Sequence, residues 1–108
     1  MFIEERRRAG DTILLATAAS ASYIEYIWDG KYLASRSEAQ ELFGVAKRDA
    51  VAEWMVANNA SISYFLTDDI SDLPMAIYTA EHGGKTLLVN PSARNLHKFA
   101  AHNIFDTL

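Results

Sequence analysis

Between Ser22 and Trp28 apolar and polar residues follow the period-2 pattern of a half-buried strand, with Ile24, Tyr26 and Trp28 on one side and Tyr23, Glu25 and Ile27 on the other. Asp29-Gly30 supplies turn residues that tolerate positive φ, and Lys31-Tyr32-Leu33-Ala34 returns, so residues 22–34 are predicted to form a β-hairpin. Ser35 with Glu38 three positions later has the form of a capping box, in which each side chain satisfies the other's free backbone N–H, and it predicts a helix over 36–43 that stops at Gly44. A second helix is expected over 46–58. Val51, Trp54 and Met55 lie on one side of it with Ala50 at the edge, and Asn58-Asn59 closes it.

Further along, Ile62, Tyr64 and Leu66 alternate with Ser61, Ser63 and Phe65, which predicts a strand over 61–67. The acidic run Asp68-Asp69-Ile70-Ser71-Asp72-Leu73-Pro74 reads as a loop. Met75–Ala80 and Thr86–Val89 read as two strands joined at Gly83-Gly84, giving a hairpin over 75–89. Asn90-Pro91 has the N-cap and first-turn chemistry of a final helix over 91–105, and Leu96, Phe99, Ala100, Ile104 and Leu108 mark its inward stripe. At the other end, residues 2–9 suit a solvated helix with a Glu4 to Arg8 pair and a stop at Gly10, and 12–19 lean toward a strand. The expected fold is one two-layer α+β domain over 1–108, an antiparallel sheet of about five strands with the helices packed on it.

Composition adds a partner to this picture. Apolar residues make up 50% of the 108, more than one small core easily hides, so a homodimer or a second binding face is expected. The net charge of -4 opposes a protein that grips nucleic acid through phosphates. With no cysteine there is neither a disulfide framework nor a thiol nucleophile, which suits a cytoplasmic location. Arg6-Arg7-Arg8, the apolar run 12–19 and Ala19-Ser20-Ala21 follow the order of a secretory signal, but Glu4, Glu5 and Asp11 sit against it. No apolar run approaches bilayer length, so no membrane partner is expected.

Motifs that carry chemistry are weak here. Gly84-Lys85-Thr86 matches the end of a phosphate-binding loop, but Thr79 stands where its first glycine belongs. Asp68-Asp69-Ile70-Ser71-Asp72 spells DDxxD, the magnesium motif of terpene synthases, which are large and all-helical. In a short loop these carboxylates fit local backbone capping better. His97 and His102, five apart, do not share a helical face, and His82 sits on a turn, so neither a metal nor a cofactor is expected. No serine lies in a nucleophile-elbow context, and no catalytic residue is assigned.

Glu38-Ala39-Gln40-Glu41-Leu42-Phe43-Gly44-Val45 resembles the first helix and turn of helix-turn-helix regulators of the mercury-resistance-regulator and excisionase type. That resemblance implies DNA binding through the second helix, with Lys47 and Arg48 as the contacting cations. The aliphatic and aromatic positions of those families fall on Ala50 and Glu53 here, whereas Val51 and Trp54 come one residue later. Such a slip turns the second helix by about 100°. The favoured expectation is therefore a non-enzymatic regulatory or inhibitory protein that binds another protein, in kind like phage inhibitors, immunity proteins and antitoxins, with a degenerate DNA reader at 35–58 as the alternative. The face expected to carry it combines Tyr26, Trp28 and Tyr32 with Asp68, Asp69 and Asp72, the acids speeding encounter with a basic partner.

Overall fold

The computed structural model describes residues 2–20, 30–35, 42, 44–90 and 92–107. The chain divides into two compact units, Met1–Leu42 and Phe43–Leu108. In the described residues it is α+β, with four α-helices and five strands in two parallel sheets.

In the first unit, α1 (Phe2–Arg8) ends in a Schellman stop: Asp11 N–H donates to Arg6 O at 3.0 Å and Gly10 N–H to Arg7 O at 3.1 Å. Gly10 takes φ 95, the left-handed conformation this stop requires and glycine adopts without strain. Arg6 Nε pairs with Asp11 Oδ2 at 2.6 Å across the same turn. The strand expected over 12–19 is β1 (Leu14–Ser20), and it pairs in parallel with β2 (Lys31–Ser35), Leu14 opposite Lys31 and Thr17 opposite Ala34. The predicted antiparallel hairpin over 22–34 is corrected by this pairing. Residues 31–34 form their ladder with β1, and 22–29 lie outside the described residues, as does the predicted helix 36–43 apart from Leu42. Ser35 is buried and its Oγ accepts the Leu42 N–H at 2.7 Å.

The second unit begins with α2 (Val45–Ala57), in place of the helix expected over 46–58. Val51 is its buried residue, while Ala50, Trp54 and Met55 are partly buried. At its end Asn59 takes φ 49, and Ala60 N–H reaches Met55 O at 2.9 Å, a Schellman stop built on asparagine. Next come β3 (Tyr64–Thr67), a 3-10 turn at Ile70–Asp72, α3 (Leu73–Glu81), β4 (Lys85–Leu88), α4 (Ala93–Ala100) and β5 (Phe105–Thr107). The sheet order is β3-β4-β5 and every pairing is parallel. The expected antiparallel sheet is thus replaced by a β-α-β-α-β path.

The decisive difference is α3. Met75–Ala80 is helical, with Pro74 in the first turn, where its missing N–H costs nothing, and with Met75, Ala76 and Thr79 buried at helical spacing. Gly83-Gly84 is the stop of this helix and not a hairpin turn: Gly84 N–H donates to Thr79 O at 2.9 Å, Gly83 N–H to Ala80 O at 3.3 Å, and Gly83 takes φ 77. A helix between two strands makes the connection a crossover, so the strands it joins are parallel.

Ladder register assigns the faces. Phe65, Thr86 and Phe105 align across the sheet, as do Thr67, Leu88 and Thr107. The core unites Phe65, Leu88 and Phe105 with Ala76 of α3 and Phe99 of α4, so both crossover helices cover one face. Phe99 meets Phe105 edge-on, with ring centroids 5.9 Å apart. Phe65 therefore points to this core, on the face opposite to that of Ile62, Tyr64 and Leu66 in the expected alternation. The helix expected over 91–105 ends at Ala100, and Phe105 is already in a strand. Of its predicted stripe, Phe99 is fully buried and Ile104 packs on the core from beyond the helix, while Leu96 and Ala100 are exposed. The helix α2 packs against α3 and does not lie on the sheet as expected.

Gly84 is a close-approach position. A Cβ there would stand 2.8 Å from the Ile62 carbonyl oxygen and 2.8 Å from Thr79 Cγ2. Thr79 is fully buried and its Oγ1 donates to Met75 O at 2.9 Å, so it has little freedom to yield. Gly84→Ala is expected to lower stability by about 1–3 kcal/mol, an overpacking cost read as an earlier urea midpoint.

Candidate functional site

In a parallel sheet the loops after the strands gather at one edge, the usual place for a ligand in such folds. Here that edge holds Thr67 at the end of β3, Asp68 and Asp69 after it, and Asn90 and Ser92 after β4. Most of its polar groups are engaged with one another. Lys47 Nζ of α2 donates to Asp72 Oδ1 at 2.8 Å, and the two side chains are only 12% and 13% exposed. Thr67 Oγ1 donates to Asp72 Oδ2 at 2.6 Å and accepts the Asp69 N–H at 3.2 Å. This chain ties α2, the end of β3 and the start of α3 into one polar staple. Ser92 caps α4 by accepting the Asn95 N–H at 3.1 Å, and Asn95 Nδ2 donates to Asp68 O at 3.1 Å.

The sequence-predicted site residues fall into different places. Asp68 and Asp69 are exposed, and among the described residues neither is in an ion pair; Asp69 Oδ2 accepts from Ser71 Oγ at 3.1 Å. Asp72 is committed to Lys47 and Thr67. Tyr32 is a partly buried residue of β2, in the other unit from the acidic loop, and Tyr26 and Trp28 lie outside the described residues. Of the two cations named for DNA contact, Lys47 is taken up by Asp72, and Arg48 pairs with Asp49, its own neighbour on α2, at 2.9 Å. His82 stacks on Tyr78 with ring centroids 4.1 Å apart and its Nδ1 lies 2.8 Å from Tyr78 O; His97 and His102 are exposed. Among the described residues no three His, Asp or Glu side chains are arranged to hold a metal ion, and no helix is long and apolar enough to cross a membrane.

A surface feature that sequence reading missed lies between α2 and α3. Val45 and Arg48 form one wall and Leu73, Pro74, Ile77, Tyr78 and Glu81 the other, around a groove of about 360 Å³. Two of its aliphatic residues stand in solvent, Val45 at 51% and Ile77 at 40% exposure. On the helix α3, Leu73, Ile77 and Glu81 fall at i, i+4 and i+8, and Pro74 and Tyr78 run beside them. The groove's charged lining residues are Arg48 and Glu81, one of each sign. Compared with protein-family models, with curated proteins and with solved structures, the chain matches none.

Proposed function

We propose that this chain is a non-enzymatic regulatory or inhibitory protein that acts by binding another protein and sterically occluding it. The observation that carries this reading is the α2/α3 groove, where Val45 and Ile77 remain exposed between helices that bury their other faces. Both line the same groove, which sets them apart from exposed hydrophobics that stand singly. Relative to the expected face of Tyr26, Trp28 and Tyr32 with Asp68, Asp69 and Asp72, the proposal moves the docking surface to α2 and α3. The DNA-reading alternative gains no support from the pairing of Lys47 with Asp72.

The test is paired affinity capture from nuclease-treated lysate with the native chain and with Ile77→Asp, whose exposed position leaves the core intact. A partner held by the native chain should be lost from the variant while the circular dichroism spectrum and melting temperature stay unchanged. Equal capture by both chains rejects the groove as the docking surface.

A further inference from the structure

We draw no further inference here: the strongest candidate, the apolar groove between α2 and α3 with Val45 and Ile77 exposed in its walls, belongs to the site already described, and nothing in the structure shows what covers it.

Discussion

Phe99→Ala is expected to lower the unfolding free energy by about 3–5 kcal/mol, the cost of emptying an aromatic site in a packed core. Phe99 is fully buried and joins α4 to the sheet through Leu88 and Phe105. Small domains hold only about 5–15 kcal/mol in total, so this one change removes a large share of it. In a cooperative unit of this size each kcal/mol corresponds to about 4–8 °C, and the melting temperature should fall by more than about 10 °C. Phe99→Leu should cost less, since it keeps most of the volume and gives up the edge-on contact, itself worth about 0.5–1.5 kcal/mol. Leu96→Ala on the same helix is the control: Leu96 is 38% exposed, and its loss should stay under about 1 kcal/mol. Equal losses at 96 and 99 would mean that Leu96 packs inward as Phe99 does, as the stripe expected from sequence had both of them.

Asp72→Ala should cost about 2–3 kcal/mol, more than any other acidic residue of the 68–72 turn. It strands the Lys47 ammonium, in a setting that is about seven-eighths buried, and leaves the Thr67 hydroxyl only the longer contact to Asp69 O at 3.4 Å. The loss is placed below that of a fully buried pair because both side chains keep some access to water. A double-mutant cycle with Lys47→Met, read by urea denaturation, should show a coupling of about 1–2 kcal/mol, because the ion left unpaired is the main cost and the double variant leaves none. Asp68→Asn should be neutral within about 0.5 kcal/mol. An Asp72 variant as mild as the Asp68 one would mean that the staple does not hold α2, β3 and α3 together.

These two cases show how far the residues alone could be read. Local signals were legible wherever a short-range rule decides the outcome. Gly10 ends α1, Asn58-Asn59 ends α2, and the apolar stretches at 12–19 and 61–67 contain strands. Misreading one element, Met75–Ala80, was enough to hide the parallel pairing of β3 with β4. Met75, Ala76 and Thr79 mark a helix, and Pro74 belongs to its first turn, yet the unbroken apolar run and the following Gly83-Gly84 fit a strand and hairpin equally well by local chemistry. A further signal was present in Thr86-Leu87-Leu88, all buried, because a continuous run without polar alternation is typical of parallel strands. The candidate site suffered for the same reason. The groove exists only once α3 is a helix, so Val45 and Ile77 could not be paired beforehand, and Asp72 could not be told from Asp68 and Asp69 until Lys47 was seen to reach it.

What the sequence by itself determined is therefore the helix stops at Gly10 and Asn58-Asn59, the excess of apolar residues and the acidic balance, since glycine and asparagine conformations, composition and charge are properties of the residues themselves. Only the tertiary structure decided that the strands run parallel, that Phe65 and not Leu66 faces the helices of the core, that Asp72 serves the fold while Asp68 and Asp69 face solvent, and that an apolar groove lies between α2 and α3. Each depends on contacts between segments far apart in the chain, where the free energy of packing chooses between local conformations that propensity leaves nearly equal.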